Sequence, residues 1–131
     1  MTEVTRTWSC MCGAFEAKVI GDPALACWCH CQSCRKQTGA AMQLGVWSDV
    51  EIVKGGDDLI GFEKTPGSGV IRNSCAKCGS FCYKILPSGK VAPLGALEGG
   101  PTVKPTCHIF VADKGDQDVM FPELPQHDAF P

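Results

Sequence analysis

Residues 29–34 read Cys-His-Cys-Gln-Ser-Cys and bring three thiols into six positions. Thiolates are natural ligands for zinc, and Cys31 and Cys34 have the C-x-x-C spacing of a metal knuckle. Cys29 arrives from the preceding segment as a third ligand. Structural zinc sites normally close with four protein ligands, so three leave one coordination position for a small molecule. Two further half-sites stand elsewhere: Cys10-x-Cys12 and Cys75-x-x-Cys78, followed by Gly13 and Gly79. Each is a tight two-thiol turn, and glycine permits the positive φ such a turn needs. Joined, the pairs make a closed Cys₄ site. If that cross-link acts like a disulfide, closing so long a loop is worth roughly 4 kcal/mol. Spacing also allows Cys75 and Cys78 to join Cys31 and Cys34 as a zinc ribbon, which leaves Cys29 a fifth thiol without a place.

Ten cysteines in 131 residues would suit a disulfide framework in a secreted chain. The polar stretch Met1 to Ser9 has no apolar run and no cleavage signal, and no segment is long and apolar enough for a membrane span. The expectation is therefore a cytoplasmic chain whose clustered thiols hold metal. A formal charge of −2 argues against nucleic acid, which usually asks for a basic face. The length suits one domain, 1–131, with a modest core that benefits from a metal staple.

The surrounding residues have two readings each. His30, between two ligand cysteines, is turned from the metal by alternation and then orients or packs; its other role is as a ligand. His108 is either a satisfied, partly buried histidine or a catalytic base. Arg35 and Lys36 follow a site of net charge −1, where they stabilise thiolates or bind substrate carboxylates, or else are solvated surface charges. Trp28 and Trp47 read as core or pocket wall, and Cys27, Cys82 and Cys107 as buried thiols.

These residues need positioning by short elements. Alternation and turn residues predict strands over Thr5 to Ser9, Ala14 to Ile20, Ala24 to Trp28, Ala40 to Trp47, Val50 to Lys54, Leu59 to Lys64 and Val70 to Ser74. A hairpin joins Phe81 to Leu86 with Val91 to Leu94, and Thr106 to Ala112 is the last strand. Arg35 to Thr38 forms a helical turn ended by Gly39. Gly95 to Lys104 is irregular, and the tail from Asp113 has anchors at Phe121, Leu124 and Phe130. The fold class is mainly β, with antiparallel sheets and short helical turns.

The ordered set Cys10-x-Cys12-Gly13, Cys29-His30-Cys31-x-x-Cys34-Arg35-x-x-Thr38-Gly39, Cys75-x-x-Cys78-Gly79 and Pro105-x-x-His108-Ile109-Phe110-Val111 resembles the glutathione-dependent formaldehyde-activating enzyme family, which also includes centromere protein V. The resemblance implies a zinc-stabilised β-tent fold with two zinc ions per chain. It assigns Cys10, Cys12, Cys75 and Cys78 to a structural ion, and Cys29, Cys31 and Cys34 to a functional one. It implies S-(hydroxymethyl)glutathione synthase activity, a carbon–sulfur lyase in class terms. Cys27, Cys82 and Cys107 lie outside the family pattern, and the tail carries Gln117-Asp118 and Phe121 where a tryptophan is expected.

Three functions follow from these readings. The first is an enzyme or binding protein for a small thiol, glutathione by resemblance, with a homodimer left open. The second is a zinc-stabilised interaction module, which requires an exposed apolar patch and a closed second metal site. The third, a zinc-ribbon nucleic-acid binder, conflicts with the charge.

Overall fold

The structure is a computed structural model that describes residues 3–131; the first two positions of the polar Met1–Ser9 stretch lie outside the described residues. Strands β1 (Thr5–Ser9), β2 (Glu16–Ile20) and β3 (Leu25–Cys29) lead to helix α1 (Gln32–Thr38). Strands β4 (Met42–Trp47), β5 (Glu51–Lys54), β6 (Leu59–Phe62), β7 (Ile71–Cys75), β8 (Phe81–Leu86), β9 (Gly89–Pro93) and β10 (Cys107–Ile109) follow, with short 3₁₀ turns between some of them.

Two open sheets result, as a mainly β reading requires: a small one ordered β1-β2-β5 and a large one ordered β10-β3-β4-β9-β8-β7-β6. All pairings are antiparallel except β10 on β3, which is parallel. The Gly- and Pro-rich stretch before β10 supplies the crossover that a parallel neighbour needs.

Period-two alternation divides the large sheet into two faces. Ala26, Trp47, Tyr83, Ala92 and Leu94 join Trp8, Phe15, Ala17 and Val19 in one core beneath the small sheet. Cys27, Cys29, Leu44, Val91, Cys107 and Ile109 form a second core, which includes Cys34 of α1. Cys10 and Cys75 belong to the first core, so the two groups of cysteines anchor different cores.

Two boundary differences from the sequence reading have a visible cause. The helix begins at Gln32, because the Cys31 sulfur caps it by accepting the Cys34 N–H at 3.3 Å. Gly39, at φ +81°, ends it as expected. The last strand stops at Ile109, since Phe110 adopts φ +53° and opens a 3₁₀ turn. The tail covers that strand's free side: His108 N–H donates to Pro125 O, and His127 N–H donates to His108 O, both at 2.9 Å.

Candidate metal centres

The two glycine-followed turns meet. The Cys10 and Cys12 sulfurs lie 3.6 Å apart and those of Cys12 and Cys75 lie 3.7 Å apart; Cys78 completes the group. A tetrahedral ion with metal–sulfur bonds of about 2.3 Å sets its ligands about 3.8 Å from one another, so the donor set fits zinc in type, number and spacing. Gly13 and Gly79 take φ of +79° and +77°, the conformation the knuckles call for. The Met11 N–H donates to Ser80 Oγ at 3.0 Å and ties one turn to the other. The Ser80 hydroxyl, followed by backbone N–H groups of Ser80 and Cys12, holds the Cys78 thiol down at about 5. Cys75 and Cys78 thus pair with Cys10 and Cys12, and the zinc-ribbon alternative is overturned.

The second group is Cys29, Cys31 and Cys34, whose sulfurs all lie within 4.8 Å of one another. β3 delivers Cys29, the turn after it delivers Cys31, and the first turn of α1 delivers Cys34. The Cys29 and Cys34 sulfurs are 3.1 Å apart, closer than a tetrahedral edge and far longer than a disulfide bond; all ten cysteines are free. Negative charge gathers on Cys31. Hydrogen bonds from Cys29 and Cys34 hold it far below the usual thiol range, against burial, with help from the Cys34 N–H and the charge of Lys84. The same two neighbours, Cys31 first, push Cys29 well up. Among the described residues no fourth Cys, His, Asp or Glu joins this trio.

His30 points away, as alternation requires, into a buried relay. The Phe121 N–H donates to His108 Nε2 at 3.1 Å, which leaves His108 Nδ1 as the protonated nitrogen. That N–H faces His30 Nε2 at 2.8 Å, so His30 carries its proton on Nδ1 and gives it to Asp118 Oδ2, also at 2.8 Å. Asp118 accepts a further N–H from Gly115 and stays ionised, its carboxyl held down first by His30. Both nitrogens of His30 are occupied, so the relay fixes the backbone between two trio cysteines. Sequence reasoning missed Asp118; its only signal was an acid in a tail that had no other explanation.

Cys29 and Cys31 of the trio line a cavity of about 220 Å³, walled by Leu44, Val46, Val91, Ile109, Phe110 and Phe130 among others. Two cations line it, Arg72 and Lys84, and neither was singled out from the sequence. Arg72 Nη2 stands 3.6 Å from Cys34 Sγ and 3.9 Å from Cys31 Sγ, while Nη1 donates to Gln37 Oε1 at 2.7 Å. Ser33 and Arg72 also border a groove of about 430 Å³, which Lys36, Ile60, Phe62 and Lys64 complete. Of the expected substrate-binding pair, Lys36 lines that groove and Arg35 lines neither space; the Arg35 charge acts on Asp118 instead. A roomier depression of about 580 Å³ at Arg6 and Asp22 holds no cysteine. Trp47 is core and donates to Gly21 O, and Trp28 packs on Phe121 with ring centres 5.8 Å apart. Cys27 and Cys107 are direct partners across β3 and β10; burial first, then each other's proximity, pushes Cys27 up to about 12.

A mainly β chain with one group of four thiols and one of three has two donor sets that could each hold a metal ion. Residues 5–113 match the profile of the glutathione-dependent formaldehyde-activating enzyme family, and the chain belongs to that family. A crystal structure of a Rhodobacter sphaeroides protein shares the fold: it is 24% identical, with a TM-score of 0.55, over 72% of this chain and 90% of that one. Among curated proteins no sequence matches the chain.

Proposed function

We propose that this chain, as a single domain over residues 1–131, is a two-zinc protein that joins a thiol, glutathione by family, to formaldehyde, as a carbon–sulfur lyase of the S-(hydroxymethyl)glutathione synthase type. The observation that carries the reading is the trio of Cys29, Cys31 and Cys34, which has no fourth Cys, His, Asp or Glu among the described residues and which reaches a cavity through Cys29 and Cys31. A zinc ion bound there supplies an incoming thiol in its thiolate form near neutral pH. The chain's own residues do the rest. Cys29, Cys31 and Cys34 hold the site, and Arg72 offsets the trio's negative charge through its contact with Cys34. The apolar walls exclude water from the reacting pair, and the groove beyond Ser33 has room for the peptide body of the thiol, with Lys36 and Lys64 at hand for its carboxylates.

The reaction forms one sulfur–carbon bond. The C=O π pair moves onto oxygen, and the proton the thiol lost ends on that oxygen. Thiols add to formaldehyde unaided, so the protein's contribution is thiolate formation and orientation. Such chemistry suits a reducing compartment, as in the cytoplasm. An interaction module needs a closed second site as well as exposed apolar residues; Ile60 and Phe62 meet only the second condition.

Replacing zinc with cobalt makes the ligand set visible. Glutathione is expected to strengthen the thiolate-to-metal absorption band, and S-methyl-glutathione, which has no ionisable thiol, is not. A spectrum unchanged at millimolar glutathione would sink the reading.

A further inference from the structure

Arg72 and Lys84 are directly opposed partners on β7 and β8, and both line the cavity over the trio. Like charges facing each other across two strands repel and lower stability. Lys84 is only 7% exposed, with its stem out of water and its head bordering the cavity. Such a residue is normally paired, yet the structure gives Lys84 no side-chain hydrogen bond or ion pair with any described residue; the ion pairs among the described residues lie elsewhere.

Charge balance sharpens the problem. Three thiolates around a divalent cation leave one net negative charge. Arg72, already against Cys34 and Cys31 and braced by Gln37, matches it. Lys84, whose charge also acts on Cys31, is a second positive charge that this one net negative charge does not balance, and it shares the cavity wall with Leu86, Val91, Val46 and Phe110. Formaldehyde has no charge to offer and would fill little of about 220 Å³.

We propose that Lys84, with Arg72 beside it, forms an anion subsite in this cavity, and that the ligand bound next to the trio is a compact carboxylate with an apolar body. The carboxylate belongs either to the thiol or to the carbonyl compound that meets it. The inference deepens the thiol reading above and rests on it only for what lies beside the anion.

Two measurements on the zinc- or cobalt-loaded chain test it. In the first, calorimetry follows short-chain carboxylates that lack sulfur, such as butanoate, against the uncharged butanamide. The wild type is expected to bind the acid roughly tenfold more tightly than the amide, and Lys84→Met to lose that preference. In the second, the cobalt spectrum follows 3-mercaptopropanoate against its methyl ester. A preference for the acid that vanishes in Lys84→Met assigns the carboxylate to the thiol. No preference there, with butanoate still favoured, assigns it to the electrophile. Thiols that bind with no acid preference, alongside butanoate that does not bind, overturn the anion subsite and leave the thiol reading intact. Butanoate binding that depends on Lys84 while no thiol alters the spectrum has the opposite consequence.

Lys84→Met is also expected to keep full metal content and to melt at a higher temperature, because it removes the cross-strand repulsion. Metal loss from the trio in this variant would show that Lys84 only balances the thiolates, and the proposal would fall.

Discussion

The two cysteine groups solve opposite problems, and their placement shows it. The four-thiol group gathers residues as far apart as Cys10 and Cys78; Cys10 and Cys75 lie in the first core, while exposed Cys12 and half-buried Cys78 bring the group to the rim. The three-thiol group comes from six consecutive positions; Cys29 and Cys31 line a cavity, and Cys34 is buried beside them. A closed donor set needs no wall, because its ligands leave nothing for water to take. An open one does, and the chain surrounds it with apolar side chains. Sequence separation therefore tracks the structural role, and the apolar cavity tracks the chemical one.

The sharpest way to break this comparison is to remove one ligand from each group. Cys78→Ser opens the cross-link between the β1–β2 and β7–β8 turns, and a loss on the order of 4 kcal/mol follows if it acts as a long-loop staple. Cys31→Ser cuts a local group and is expected to leave a folded chain. Thermal unfolding and elemental analysis separate them: two zinc ions in the wild type, one in a stable Cys31→Ser, and a largely unfolded Cys78→Ser. Equal unfolding of both variants would show that the division of labour is wrong. A wild type holding only one ion would remove the comparison altogether.

A smaller effect is expected from the support behind the trio. Asp118→Ala leaves the His30 Nδ1–H buried without an acceptor, at a cost of roughly 1–3 kcal/mol. His30 lies between Cys29 and Cys31, so the variant should also release metal from the trio more readily while the four-thiol group keeps its own. Competition with a chelator, followed by zinc counts, reads both. Equal weakening of the two groups would mean that the relay supports the fold as a whole and not the trio in particular.

Much of this was legible from residue types and spacing. The thiol groups are short local patterns, and glycine after each knuckle marks the turn; Phe81–Leu86 and most other strands follow from alternation. What escaped depends on register. Arg72 and Lys84 become neighbours only through the pairing of β7 with β8, whose register shifts at Asn73 and Ser74. The hydrogen bond between His30 and Asp118 spans 88 positions and depends on a tail with no periodicity to read. The parallel β10 was hidden too, because a three-residue strand of Cys-His-Ile carries no sign of its direction. Local chemistry was therefore visible, and the groups that surround and charge it were not.

The smallest expected effect concerns acid. Burial, and then the ring of His30 beside it, hold His108 below its ordinary value of 6.5, while Glu123 acts the other way. Asp118, beyond His30, has its carboxyl held down and stays ionised across the same range. The unfolded chain therefore takes up a proton below about pH 6.5 that the folded chain resists. Stability from this residue is present above that pH and shrinks as the pH falls, with a slope of at most about 1.4 kcal/mol per pH unit for one proton. Gln at position 108 keeps one donor and one acceptor but does not titrate. Urea midpoints at pH 7.5 and 5.5, with zinc content checked at each, are expected to fall further in the wild type than in His108→Gln. Equal falls would place the acid sensitivity elsewhere, and a metal count that drops with the midpoint would place it in the thiolates.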